Sequence, residues 1–150
     1  MDQLYLRSFM NIFLLANRLQ SLMDKELTDI TVKQWVALIM LGTFEKPPLL
    51  SQLADKCGIT HQSMMSLVKR LAEKGYAVIE KDASDRRALR IRPTVKREQW
   101  ALQYAKQNQE NILGMFADFT EEEFKEFVKA QDKLYYRLGE MGGELYEKQT

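Results

Sequence analysis

Residues 50–92 read LSQLADKCGITHQSMMSLVKRLAEKGYAVIEKDASDRRALRIR, and the fold turns on how this stretch divides. Leu50, Leu53 and Ala54 recur at helical spacing, which predicts a short helix over 50–57. Gly58 stands where a left-handed residue would stop it. Thr60 then caps a helix over 61–74 with the apolar stripe Met64, Leu67, Val68 and Leu71, and Gly75 ends it. Two helices joined by Cys57-Gly58-Ile59-Thr60 make a helix-turn-helix. After Gly75 the period falls to two. Tyr76 to Lys81 reads as a strand and Ala88 to Arg92 as its partner, with the charged loop Asp82-Ala83-Ser84-Asp85-Arg86-Arg87 between them. A hairpin with a basic tip directly after the second helix is a wing.

Helices flank this unit on both sides. Leu6, Phe9, Met10, Phe13, Ala16 and Leu19 mark an amphipathic helix over roughly residues 2–25. Thr31 caps a second helix carrying Trp35, Leu38, Ile39 and Leu41, which closes near 42–44 before Pro47-Pro48. Thr94 caps a long helix of about 95–118 with Trp100, Tyr104, Ile112, Leu113 and Phe116. Thr120 with Glu123 is a capping-box pattern opening a last helix of about 121–147, which includes Leu145. The predicted fold is mainly α with a small β-hairpin wing, divided into 1–30, 31–94 and 95–150.

Composition narrows the function classes. The chain has 150 residues, 45% of them hydrophobic and 29% charged, enough apolar material for a core. No apolar run approaches the roughly 18 residues of a membrane span. No secretory signal is visible at Met1-Asp2-Gln3, so the expected location is the cytoplasm. The single cysteine, Cys57, excludes an internal disulfide framework. One cysteine and one histidine, His61, fall short of a structural metal site, so no metal or cofactor is expected. No phosphate loop, zinc-protease pair or nucleophile elbow occurs, which argues against an enzyme. The charge distribution is more telling. Residues 60–97 hold ten Lys/Arg against four Asp/Glu, a local excess of +6 in a chain of net charge +1. The rest therefore sums to −5. A basic middle in an acidic chain is the footprint of a polyanion site, although a well-solvated surface has the same composition.

The order of elements and their loop residues resembles the multiple-antibiotic-resistance regulator (MarR) family over nearly the whole chain. The resemblance rests on residues 50–54 (LSQLA), 58–60 (GIT), 68–75 (VKRLAEKG), 82–87 (DASDRR) with Thr94, and on Thr31 with Gln34 and Trp35. It implies a homodimer built from the first and last helices, with a recognition helix in each of two major grooves of a pseudo-palindromic double-stranded DNA operator. It also implies a wing in the flanking minor groove, and in many members repression relieved by a small aromatic or hydrophobic effector. Three positions depart from the family pattern. Ser66 and Ser84 stand where members often carry arginine, which shifts affinity onto other basic residues. Arg97 stands where glycine is usual, and is expected to alter only the entry of the following helix.

Taking the apolar stripe inward leaves His61, Gln62, Ser63, Ser66, Lys69 and Arg70 on the reading face. Gln pairs with adenine and Ser meets several base edges. Lys69 and Arg70, further along, suit phosphate, as does Ser51 at the start of the preceding helix. Arg86 is the candidate for minor-groove insertion. Arg87 touches phosphate or pairs with Asp82 or Asp85, and these carboxylates orient the arginines. Arg90 and Arg92 share a strand face that lines the DNA side or stays solvated. Phe9, Phe13, Trp35, Trp100 and Tyr104 are candidates for an effector pocket, against the plainer reading of aromatic core. Cys57 reads as a small core residue rather than a redox sensor. The rival to a DNA-binding regulator is a winged-helix module that binds another protein.

Overall fold

The computed structural model describes residues 2–142, with side chains of 106–108 excepted. The chain forms two compact units, residues 1–102 and 103–150.

The first unit begins with α1 (Gln3–Glu26), capped by the Asp2 carboxylate, which accepts from the Leu4 N–H at 3.0 Å. No residue of α1 is buried, and Phe9, Phe13, Leu14 and Leu15 are each more than half exposed. α2 (Val32–Leu41) starts at a complete capping box. Thr31 Oγ1 accepts from Gln34 N–H, and Gln34 Oε1 accepts from Thr31 N–H. α3 (Leu50–Cys57) lacks a capping oxygen at Leu49, so the Gln52 carboxamide reaches back to the Leu49 N–H at 2.8 Å. Thr60 caps α4 (His61–Glu73) through the Ser63 N–H.

Two glycines make the turns. Gly58 has φ 63° and Gly75 has φ 80°, a region that costs a side-chain-bearing residue about 1–2 kcal/mol. At each, the following N–H reaches back into the helix, Ile59 to the Ala54 carbonyl and Tyr76 to the Leu71 carbonyl.

β1 (Ala77–Lys81) and β2 (Leu89–Pro93) pair antiparallel, with Ile79 opposite Ile91 and Glu80 opposite Arg90. An isolated bridge joins Leu49 to Arg90, and the Ile91 N–H donates to the Pro48 carbonyl, so the segment before α3 lies along β2. The strands start one residue later than the sequence predicts, because the Tyr76 N–H is spent on the end of α4 and Ala88 closes the loop. It exchanges hydrogen bonds with Asp82 and Asp85.

The core sits between these elements. Leu38 and Leu41 of α2, Leu50 and Leu53 of α3, Met64, Val68 and Leu71 of α4 and Ile91 of β2 are almost wholly buried. Burying one such side chain contributes about 1.5–3 kcal/mol. Leu67, placed in the stripe by spacing, is only half-buried. α5 (Val95–Met115) spans the boundary between the two units, and its Trp100 is buried edge-on to Tyr76.

The second unit holds the rest of α5 and α6 (Glu121–Met141). α5 stops short of the expected 118, and a turn carries Phe116 and Phe119 into an aromatic cluster with Phe124 and Phe127. Thr120 and Glu123 form the capping box that opens α6. Leu145, expected at the end of this helix, lies outside the described residues. No described helix is long and apolar enough to cross a membrane.

Candidate nucleic-acid interface

α4 has two faces because its apolar residues fall three and four apart. Met64, Val68 and Leu71 point into the core, and His61, Gln62, Ser63, Ser66, Lys69 and Arg70 are all exposed. Ser63 is partly engaged, since its hydroxyl accepts from Thr60 Oγ1 at 2.9 Å. Ser51 is exposed in the first turn of α3, where free backbone N–H groups favour an anion. Among the described residues, neither Lys69 nor Arg70 is ion-paired.

The wing sorts its arginines. Arg86 is exposed and, among the described residues, has no ion pair. Arg87 Nε lies 3.2 Å from Asp85 Oδ1, one of the partners expected for it, but its side chain is 93% exposed and such a pair contributes little.

Arg90 departs from the expectation that both strand arginines line the DNA side or stay solvated, whereas Arg92 stays exposed and pairs at the surface of the hairpin. Arg92 donates through Nε and Nη2 to Glu80 Oε1, at 2.9 and 2.7 Å. Arg90 donates through Nε to Asp82 and through Nη1 to the Pro47 carbonyl at 2.6 Å. Arg92 is thus paired within the hairpin, and Arg90 joins the hairpin to the segment before α3. Register sets Glu80 opposite Arg90, yet Glu80 bonds the diagonal Arg92, and Arg90 turns to Asp82.

Asp82 is 6% exposed. Its Oδ2 accepts from the N–H groups of Ser84 at 3.0 Å and Asp85 at 2.9 Å, and its Oδ1 takes the Arg90 bond. The Asp85 N–H, then Arg90, hold its carboxyl below the usual carboxylate range. The sequence assigns Asp82 a general orienting role. Its partner being Arg90 rather than Arg87, and the part played by Pro47, are not legible there.

Arg97 departs furthest from expectation. It does more than alter a helix entry: it is buried, 7% exposed, and donates to the Leu38 carbonyl at the end of α2. A second group missed in the sequence sits at the wing root. Tyr76 OH donates to Asp29 Oδ2 at 2.7 Å, Lys96 Nζ stands 4.3 Å from the Tyr76 ring, and Lys96 donates to the Lys74 carbonyl.

The aromatic candidates fall into separate places. Phe9 and Phe13 meet edge-on at 5.2 Å on the exposed face of α1. Trp35 is half-buried, and its Nε1–H has no hydrogen-bond partner among the described residues. Trp100 is buried, and Tyr104 belongs to the second unit. Cys57 is half-buried rather than core, at the exposed end of α3, and burial pushes its thiol up from the ordinary value. Among the described residues no three metal-ligating side chains cluster.

This arrangement matches known proteins. The MarR family model matches residues 28–88, from the loop before α2 to the end of the wing loop. Over residues 28–88, then, the chain is similar to the MarR family. The chain is also 30% identical over 79 residues to YcgE of Bacillus subtilis, an uncharacterized HTH-type transcriptional regulator. That alignment covers 53% of this chain and spans about half, 51%, of the relative. Among solved structures, the organohalide-sensing regulator RdhR in its 2,4-dichlorophenol-bound form superposes with a TM-score of 0.84 at 19% identity, covering 100% of this chain and 92% of that one. FabT of Streptococcus pneumoniae, in complex with DNA, superposes at 0.73 and 19% identity, covering 91% and 99%. At such identities the likeness is one of fold.

Proposed function

We propose that this chain is a homodimeric, sequence-specific regulator of transcription of the MarR type that binds a pseudo-palindromic double-stranded DNA operator. The observation that carries the reading is the combination of an exposed polar face on α4 and a wing tip, where Lys69, Arg70 and Arg86 have no ion pair among the described residues. α4 lies in the major groove, with Gln62, Ser63 and Ser66 toward base edges and His61 at its entry. Lys69, Arg70, Ser51 and Arg87 meet phosphate, and Arg86 enters the minor groove. FabT's structure with DNA supports the same use of the same fold.

Residues 1–30 and 95–150 form the dimer, with 31–94 as the reading lobe. α1 supports this: a helix with no buried residue and apolar side chains exposed along its length needs a covering surface, and a second copy supplies one. The chain acts as a repressor that a small aromatic effector releases. RdhR holding 2,4-dichlorophenol supports this, as do Phe9 and Phe13 on α1 and the free Nε1–H of Trp35 on α2.

Salt titration of duplex binding tests the reading. Affinity for a duplex of about 40 base pairs should fall steeply with salt, by roughly one decade per decade of salt for each phosphate neutralised. The bound species should be a dimer with its α4 helices roughly 34 Å apart. A monomer at micromolar concentration, or a flat salt dependence, overturns the reading and favours a module that binds protein.

A further inference from the structure

We infer that Asp82 is a positioning residue for DNA binding, which fixes the wing loop and, through Arg90 and the Pro47 carbonyl, braces the hairpin against the segment before α3 so that Arg86 is presented in one place. The inference rests on the DNA-binding reading above and adds the part that makes its wing rigid.

Four observations converge on the brace. Asp82 is buried at the junction of β1 and the loop, an unusual place for a carboxylate unless its oxygens are fully used. They are used in three directions, by the N–H groups of Ser84 and Asp85 and by Arg90 Nε. Arg90 then reaches out of the hairpin to the Pro47 carbonyl, 43 positions earlier in the chain. The neighbouring backbone bond from Ile91 to Pro48 runs parallel to that contact, so side chain and backbone fasten the same edge.

The consequence falls on Arg86. It stands one residue beyond Asp85, whose N–H is held by Asp82, yet it has no ion pair of its own among the described residues. A two-stranded ribbon standing alone is marginal in water. Fixing its loop from inside and its side from outside removes freedom that DNA binding would otherwise have to freeze. Charge is also divided: Asp82 pairs with Arg90, and Arg86 keeps its charge for the nucleic acid.

The test is a double-mutant cycle on an A·T-rich duplex of about 40 base pairs, with Asp82→Asn, Arg86→Ala and the pair. Asp82→Asn keeps the side chain's size and removes its charge. It should weaken binding about tenfold, in line with loss of an ordered contact, and raise amide exchange at Ser84 and Asp85. In the Arg86→Ala background the same change should cost almost nothing, because the residue it positions is gone. Arg90→Lys, which cannot span both partners, should behave likewise and serves if Asp82→Asn does not fold. An equal loss in both backgrounds overturns the positioning role, because a merely structural defect is indifferent to Arg86. Unchanged affinity in Asp82→Asn also overturns it while leaving the DNA-binding reading intact. A wild-type chain that binds no duplex overturns that reading and this inference together.

Discussion

Arg97 donates from Nε and Nη2 to the carbonyl oxygen of Leu38, at 3.2 and 2.7 Å, and its guanidinium occupies the space where a side chain at Gly42 would lie. A Cβ built on Gly42 would stand 1.8 Å from Nη2 and 2.5 Å from Cζ. Gly42 itself is at φ −75°, ψ −10°, which alanine adopts freely, so the conflict is steric, and the nearest atoms in it are those of the Arg97 guanidinium. Gly42→Ala should therefore destabilise the chain by about 1–3 kcal/mol, as overpacking does. Arg97→Ala should cost a similar amount, about 1–3 kcal/mol, through the lost charged hydrogen bonds. In the double variant the Gly42→Ala cost should vanish. Urea denaturation of the four proteins checks this, and additive losses would show that the two residues do not compete for that space.

The reading face and the backbone-contacting residues should separate under mutation. Lys69→Ala and Arg70→Ala should each weaken binding to all duplexes alike and lower the salt slope by about one. Gln62→Ala and Ser66→Ala should leave the slope alone and change the preference among sequences, by about 1–3 kcal/mol for a lost bidentate contact. Binding selection from a random duplex pool, repeated for each variant, measures both. A slope change on Gln62→Ala would reassign it to phosphate.

What the sequence discloses of this chain is what short-range interactions decide. Thr31, Thr60 and Thr120 cap helices, Gly58 and Gly75 turn the chain, and the charged loop of the wing lies between two alternating runs. Each depends on residues within a few positions of one another. The brace and the Arg97 contact join residues 43 and 59 positions apart, and no periodicity reports such pairs. Hence Arg90 reads as a cation that lines the DNA side or stays solvated and Arg97 as a change at a helix entry, although both donate to backbone carbonyls. Pro47 and Pro48 read as punctuation, yet their carbonyls are the anchor of the wing. The outward face of α4 was legible because it is the complement of an apolar stripe. The partners of the aromatic residues were not, because helical spacing says which side is apolar without saying what covers it.

Cys57 should be a poor redox switch. Burial pushes its thiol above the ordinary value, which reduces the thiolate, the species peroxide attacks. Lys56 beside it pulls the other way but is the smaller influence. Treatment with peroxide should leave duplex binding unchanged in the wild type, and Cys57→Ser should titrate the duplex identically. Sulfenic acid at Cys57 by mass spectrometry, with loss of binding that the serine variant escapes, would reverse this assignment.

The order of the wing loop should depend on pH in one direction only. Asp82 is held below the ordinary carboxylate value, chiefly by the Asp85 N–H and then by Arg90. The unfolded chain therefore takes up this proton at a higher pH than the folded one. Stability from Asp82 is complete above the unfolded value, about 3.9, and is lost as pH falls through the lower folded value. Between about pH 5 and 8 the loop should not change, and any pH effect on DNA binding there must come from elsewhere. Asp29, held down chiefly by the Tyr76 hydroxyl, is lost in the same acid window, so the two need separating. Amide shifts of Ser84 and Asp85 followed by NMR do this. They should be flat to below pH 5 and then move in the wild type, while Asp82→Asn should remove that movement and leave the Tyr76 ring signals to follow Asp29. A mid-range transition at Ser84 in the wild type would mean that the carboxylate is not held by the bonds described.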